Sequence, residues 1–243
     1  MSNAAFLYYL LTDPIANTSL LDKYRSILTP EEWQRVSSLA LQRHRNERLF
    51  SYALLRKVLS DLTGLDPLIW QFRKNMHGRP EIEDPSNLRH LKFSVSHTDG
   101  LIACLLSWHH DVGVDVEPIR QVGDMLNIAD QYFAPYETAF LRTLPGHKQS
   151  RRFLELWALK ESYLKARGLG LSISLTEVAF MIKENASYQI FATFGAELED
   201  DPTRWQFSLE PFNGYLIATT VERRCPSRVK IVMRDAVWLM NCP

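Results

Sequence analysis

The sequence predicts an α+β chain folded as two similar lobes, each a small antiparallel sheet carrying helices. Three observations predict it. Helical periodicity and strand hairpins alternate twice along the 243 residues. The second hairpin region echoes the first: Phe93-Ser94 is followed by Gly100 and LIA, and Phe207-Ser208 at the same interval by Gly214 and YLIA. The turn dipeptides also correspond, Asp99-Gly100 with Asn213-Gly214. An N-terminal lobe over residues 1–110 and a C-terminal lobe over 111–243 are expected.

The elements follow in order. The segment AAFLYYLL near the N-terminus has no basic residue ahead of it and reads as a first strand, not a secretion signal. Thr29-Pro30-Glu31-Glu32 predicts a helix start, with a Thr cap, Pro at the first position and Glu closing a capping box, and the helix is expected to run to about Leu41. A second helix is expected from about Asn46 to Leu62, before Gly64. Arg35, Arg43, His44, Arg45, Arg48, Arg56 and Lys57 lie on and between these helices, as either a phosphate-binding wall or a solvated basic face.

Gly78-Arg79-Pro80 predicts a loop, followed by a polar stretch rich in Asp, Pro, Ser and Asn. Lys92 to His97 alternates as a strand, with Phe93 and Val95 on one face and Ser94 and Ser96 on the other. Leu101 to Trp108 is the returning strand. In Val112–Arg120, VGVDVEPIR, the same alternation sets Asp115 and Glu117 on one face and Val114 and Val116 on the other. Two carboxylates about 7 Å apart along a strand repel unless a cation lies between them. Mg²⁺ suits such oxygen ligands; an exposed strand face with two solvated acids is the alternative.

Helices are expected around Asp124–Phe133, from Pro135 to Leu144, and from Phe153 to Arg167, the last with Gly168 as C-cap. That last helix, FLELWALKESYLKAR, is apolar nearly all round, with Glu155 and Ser162 as its polar strip. Lys160, Glu161 and Lys165 are therefore expected in or beside the core, and buried charges need partners. A Glu161–Lys165 pair at i, i+4 would answer that need locally; a partner elsewhere in the chain is the other answer. Strands are expected at Glu177–Ile182, Tyr188–Phe194, Arg204–Glu210 and Tyr215–Val221, with a C-terminal pair over Arg228–Met240.

Composition narrows the function. With 28 basic and 28 acidic residues, the chain lacks the charge of a dedicated nucleic-acid binder. No apolar run reaches the 18 or so residues that span a bilayer, and no membrane partner is expected. Cys104, Cys225 and Cys242 are odd in number and outside any CxxC spacing, which points to a reducing cytoplasm and no zinc site.

Three blocks stand in order: FSVSHTDG, GVDVEPIR and FLELWALKESYLKARGLGLS. Together they resemble the 4′-phosphopantetheinyl transferases of the surfactin-synthetase-activating (Sfp) type. That family shows an N-[IL]-S-H-S-like block, a G-[IV]-D-[IV]-E block and a W-x-x-K-E-[SA]-x-x-K block followed by G-x-G. Ser94 stands where the family commonly has Asn, and Thr98 where it has Ser. The resemblance implies a pseudo-dimer of two α+β lobes with coenzyme A in the cleft between them. It further implies Mg²⁺-dependent transfer of the phosphopantetheine arm to a serine of an apo acyl, peptidyl or polyketide carrier domain, releasing adenosine 3′,5′-bisphosphate. Carried over residue by residue, Asp115, Glu117 and Glu161 are the metal carboxylates, and Glu161 and Lys165 the catalytic pair. His97 contacts the 3′-phosphate, and Ser96, Arg79, Arg48 and Arg35 complete the coenzyme A site. A pseudo-dimeric chain is expected to be a monomer. The alternatives are a metal-dependent phosphohydrolase or nuclease, and a non-catalytic module that binds coenzyme A or a carrier protein.

Overall fold

The computed structural model describes residues 3–12, 18–83, 88, 90–184 and 188–237. The polar stretch expected after Glu83, the end of the expected C-terminal pair and Cys242 fall outside these residues.

The chain runs through the same series of elements twice. The first half is β1 (Ala4–Leu11), α1 (Thr18–Arg25), α2 (Pro30–Ser37), α3 (Gln42–Thr63), β2 (Gln71–Lys74), β3 (Pro80–Glu83), β4 (Leu91–Thr98) and β5 (Leu101–Trp108). The second is β6 (Val112–Pro118), α4 (Met125–Tyr132), α5 (Pro135–Thr143), α6 (Gly146–Arg167), β7 (Val178–Glu184), β8 (Tyr188–Phe194), β9 (Trp205–Phe212) and β10 (Tyr215–Glu222). Each half is thus one strand, three helices, a small two-stranded ribbon and a hairpin.

The pairing repeats as well. In β1-β5-β4 and in β6-β10-β9, the opening strand lies antiparallel to the last strand of its half, which pairs in turn with its hairpin partner. The echoed residues sit on the corresponding hairpins β4-β5 and β9-β10. The two-lobe α+β architecture read from that echo is the architecture found.

The symmetry breaks at the C-terminus. A strand pair was expected there, but the described part is one strand, β11 (Lys230–Asp235), lying parallel to β1 with Ala4 opposite Lys230. The free edge of β1 offers unpaired backbone groups, and β11 satisfies them.

Helix boundaries follow local chemistry. The capping box at α2 is present, with Glu32 Oε2 accepting from the Thr29 N–H at 3.0 Å and Thr29 Oγ1 from the Glu32 N–H at 3.3 Å. The helix stops at Ser37, short of Leu41. The helices α3 and α6 each span 22 residues and end on left-handed glycines, Gly64 and Gly168. Both begin earlier than their apolar periodicity suggests, because Gln42–Arg45 and Gly146–Arg152 add polar turns that periodicity does not mark.

Three cores hold the chain. One lies under α3 in the first half, one surrounds α6 in the second, and a third fills the space between the two sheets. The strand β5 is apolar without alternation because both faces are covered: Ile102, Cys104 and Leu106 face the α3 core, and Leu101, Ala103 and Leu105 the inter-sheet core. The valines 112, 114 and 116 of β6 enter that same inter-sheet core, which turns Gly113, Asp115 and Glu117 toward α6.

Charges buried in these cores are paired. Arg56 is 1% exposed and grips both carboxylate oxygens of Glu32 at 2.9 and 3.0 Å, which removes it from any phosphate-binding wall. Lys160, fully buried, meets Glu137 at 2.7 Å and the carbonyls of Leu175 and Val178. Glu137 in turn accepts from the N–H groups of Ala134 and Phe180. The polar strip expected on α6 is buried too. Glu155 is ion-paired with Arg151 and Arg152, and Ser162 bonds Thr220 at 2.7 Å.

Candidate active site

The site forms where β4, β6 and α6 meet across the two halves. Glycine at position 113 permits the approach: a Cβ there would lie 1.9 Å from the Ser162 carbonyl oxygen and 2.5 Å from the Ala166 nitrogen. With β6 against α6, Asp115 faces Lys165 and Glu117 faces the stretch of α6 that carries Glu161 and Trp157. From the other half, β4 sends Ser94 and Ser96 to β6. Ser94 Oγ accepts from the Val114 N–H at 3.1 Å, so the serine found in place of the family's asparagine ties the two halves together.

Ser96, Asp115 and Lys165 make one hydrogen-bonded cluster. Ser96 Oγ donates to Asp115 Oδ1 at 3.0 Å, and Lys165 Nζ donates to that same oxygen at 2.6 Å and to Ser96 Oγ at 3.0 Å. The partner of Lys165 is therefore Asp115, 50 residues away, and not Glu161 one turn back. Asp115 Oδ2 is buried and has no hydrogen-bond partner. A buried carboxylate oxygen left open beside other acids is what a cation would use.

Ser96, His97, Asp115, Glu117, Trp157, Glu161 and Lys165 line one cavity of about 430 Å³. A second cavity of about 300 Å³ adjoins it, sharing Val95, Glu161 and Lys165 and bounded by Arg79, Phe93, Ser94 and Gly168. Trp157 packs against the α6 core, stacks on Phe153 and closes one side of the first cavity.

The electrostatics match a site short of positive charge. Burial, then the nearby Asp115 charge, pushes the Glu117 carboxyl up to about 7, while Lys165 and Arg120 pull it down. The Glu161 carboxyl is raised for the same first two reasons. His97 sits on the rim with its Nδ1 3.9 Å from Glu47, and burial together with Arg48, Lys165 and His44 holds its imidazole below the ordinary value. That cationic neighbourhood suits an anion.

Glu117 supplies a pH prediction for the metal-free protein. Its folded-state pKa lies above the unfolded one, so the stabilisation it gives is complete at low pH and is lost as pH rises from about 4.5 through about 7. Melting temperature in the presence of a chelator is expected to fall across that window, and Glu117→Gln to flatten the fall. An unchanged slope in the variant would remove Glu117 as its source.

Arg79 is placed differently from a free phosphate ligand. Its guanidinium donates to the carbonyls of Ala166 at 2.7 Å, Phe93 at 3.2 Å and Val112 at 3.3 Å, joining α6, β4 and β6. Asn75, unmarked in the sequence reading, positions it. Asn75 Oδ1 accepts the Arg79 N–H while Asn75 Nδ2 donates to the Gly168 carbonyl. Arg79→Met is expected to cost about 2 kcal/mol of stability without any ligand, from stranded carbonyls. Chemical denaturation checks this, and an unchanged midpoint would contradict it. Arg48 is exposed near His97, Arg35 lies on the exposed face of α2 within the field of Glu31, and neither lines either cavity.

No three His, Cys, Asp or Glu side chains among the described residues already converge on one point that could hold a metal. The acids form a wall and not a cage. Mg²⁺ needs one or two carboxylates and fills its octahedron with water and substrate phosphate, and the open Oδ2 of Asp115 is the oxygen available to it here.

Residues 111–220 match the 4′-phosphopantetheinyl transferase superfamily, and residues 16–108 match the 4′-phosphopantetheinyl transferase N-terminal family. The slr0495 protein of Synechocystis sp., assigned to these transferases, is 31% identical over 193 residues, covering 79% of this chain and 75% of its own. The chain belongs to the 4′-phosphopantetheinyl transferase superfamily. Two further relatives carry the same family name. The HetI transferase of Nostoc sp. is 29% identical, over 70% of this chain and 73% of its own. The Sfp transferase of Bacillus subtilis is 25% identical, over 70% and 73%. The family match makes the chain an enzyme, a 4′-phosphopantetheinyl transferase, and sets aside the non-catalytic binding module. Both family matches fall within the repeated halves, and residues 111–220 include Asp115, Glu117, Glu161 and Lys165 of this transferase.

Proposed function

We propose that this transferase moves the 4′-phosphopantetheine arm of coenzyme A to a serine hydroxyl of an apo carrier protein, in a Mg²⁺-dependent reaction that releases adenosine 3′,5′-bisphosphate. The observation that carries the reading is the Ser96–Asp115–Lys165 cluster joined across the two halves, beside Glu117 and Glu161 in one cavity. The cleft lies between lobes 1–110 and 111–243, the second sending β11 back onto β1.

The residues divide the work. Asp115, Glu117 and Glu161 would hold the divalent cation, and the open Oδ2 of Asp115 supports that assignment. Once bound, such a cation neutralises charge on the pyrophosphate oxygens. Glu161, whose carboxyl burial and Asp115 make more basic than an ordinary glutamate, takes the proton of the carrier serine directly or through water. The serine oxygen then bonds to the phosphorus on the pantetheine side. The bond from that phosphorus to the bridging oxygen breaks, and the electron pair leaves on adenosine 3′,5′-bisphosphate. Lys165 steadies the charge on the transferred phosphate.

The adjoining cavity receives the rest of coenzyme A, with Ser94 on its border and Arg79 holding its wall, while Ser96 lines the first cavity. His97, with Arg48 behind it, faces the 3′-phosphate, because an anion there relieves the crowding of positive charge on the imidazole. No helix among the described residues is long and apolar enough to cross a membrane; a cytoplasmic monomer without nucleic-acid partners completes the reading.

Intact-protein mass spectrometry of an apo acyl carrier protein with this enzyme, coenzyme A and Mg²⁺ tests it. A gain of one phosphopantetheine, abolished by chelator, is the expected result. No gain with acyl, peptidyl or polyketide carriers would overturn it.

A further inference from the structure

We propose that Lys165 is the resident counter-ion of Asp115 in the free enzyme and competes with a divalent cation for that carboxylate, so that cation and coenzyme A load together. This rests on the transfer reading above and adds how its site is regulated.

The geometry argues for an exchange of cations. Asp115 has two oxygens in different states: Oδ1 carries both the ammonium of Lys165 and the hydroxyl of Ser96, and Oδ2 carries nothing. An ammonium at 2.6 Å lowers the negative potential that would draw in a second cation. The carboxylate is therefore half open and electrostatically half occupied. Among the described residues the ion pair of this cluster is Lys165 with Asp115, and Glu117 and Glu161 feel Lys165 through its field.

The two partners differ in freedom. Asp115 is 8% exposed and fixed on β6 by the inter-sheet core, whereas the Lys165 side chain is 31% exposed on the cavity wall. A lysine is a compact charge on a flexible four-carbon stem, so the ammonium can swing while α6 stays in place. What would draw it away is a new anion in the cavity it already borders. A phosphate or pyrophosphate group offers that, frees Oδ1, and restores the charge that invites the divalent ion. By linkage, each ligand then raises the affinity for the other by the same factor.

Bridging of metal and phosphate would give cooperativity by itself, so the decisive measurement uses the metal alone. Mg²⁺ is titrated calorimetrically into wild type, Lys165→Met and Lys165→Gln without nucleotide, and again with adenosine 3′,5′-bisphosphate. Arg120→Gln is the control, because Arg120 acts on Glu117 through its field and makes no bond to Asp115. Circular dichroism verifies folding, and the glutamine variant keeps a hydrogen-bonding group beside Asp115 should the methionine variant unfold.

Both lysine variants are expected to bind Mg²⁺ alone about tenfold more tightly than wild type, within the usual range of coupling between sites. The added tightening from nucleotide should shrink in them, and Arg120→Gln should stay near wild type. Equal or weaker binding by the lysine variants overturns the proposal, as does equal tightening in Arg120→Gln. Either result leaves carrier modification by the wild type untouched. If the wild type binds neither Mg²⁺ nor the nucleotide, the transfer reading beneath the proposal falls as well.

Discussion

Glu161→Gln is expected to lower carrier modification by about 10² to 10⁴-fold, the usual worth of general acid–base help, with further loss if the carboxylate is also a metal ligand. The fold should survive the change. Glu161 lies on α6 between the buried Lys160 and Ser162, yet its own side chain borders both cavities. Its raised pKa means that the charged form is disfavoured where it stands, first by burial and then by Asp115. A neutral amide of the same shape removes that repulsion and leaves no buried cation without its partner, because Lys165 is held by Asp115. Melting temperature with chelator present should therefore stay at or above the wild-type value while turnover, read by mass spectrometry, collapses. Near-normal turnover in the variant would refute the assignment of Glu161 as base.

Residue order carried much of this. Alternation in KFSVSH and VGVDVEP placed Ser96, Asp115 and Glu117 on the correct faces, since period-two burial depends only on neighbours in the chain. The two-lobe reading rested on a short echo at two turns, and the full element order repeats around it. Long-range partners were not legible. The polar strip of α6, Glu155 and Ser162, carried no mark of its partners; these, Arg152, Tyr188 and Thr220, come from the same helix, β8 and β10. Lys160 showed a need for a partner without naming Glu137. Arg56 looked like one more basic group in a wall until packing gave it Glu32. Whether Lys165 pairs with Glu161 or with a group elsewhere in the chain was left open by sequence, since it depends on how near β6 comes to α6. The C-terminal strand was visible as a strand, but parallel pairing across most of the chain has no local mark.

That distance between β6 and α6 is set at one residue, which makes Gly113→Ala a damaging substitution despite its small size. Adding one methyl ordinarily costs little on a strand, and alanine is a better strand or helix residue than glycine. Here the new Cβ would meet the Ser162 carbonyl oxygen at 1.9 Å and the Ala166 nitrogen at 2.5 Å, and both are backbone atoms of a helix buried on nearly all sides. No rotamer change can make room, so β6 must move off α6 as a unit. Overpacking of this kind typically costs about 1–3 kcal/mol and occasionally more; with rigid backbone on both sides, a loss of about 3 kcal/mol or greater is expected in chemical denaturation. Function should fall further than stability. Asp115 lies two residues along the same face, so displacement of β6 carries its carboxylate away from Lys165 and Ser96, both of which need it within 3.0 Å. Even at temperatures where Gly113→Ala remains folded, its transfer rate should therefore drop by about 10² or more, as misplacement by an ångström does for positioned groups. Wild-type stability in this variant would mean that β6 and α6 have slack the packing does not show, and a stable but inactive variant would locate the damage in the Asp115–Lys165 contact.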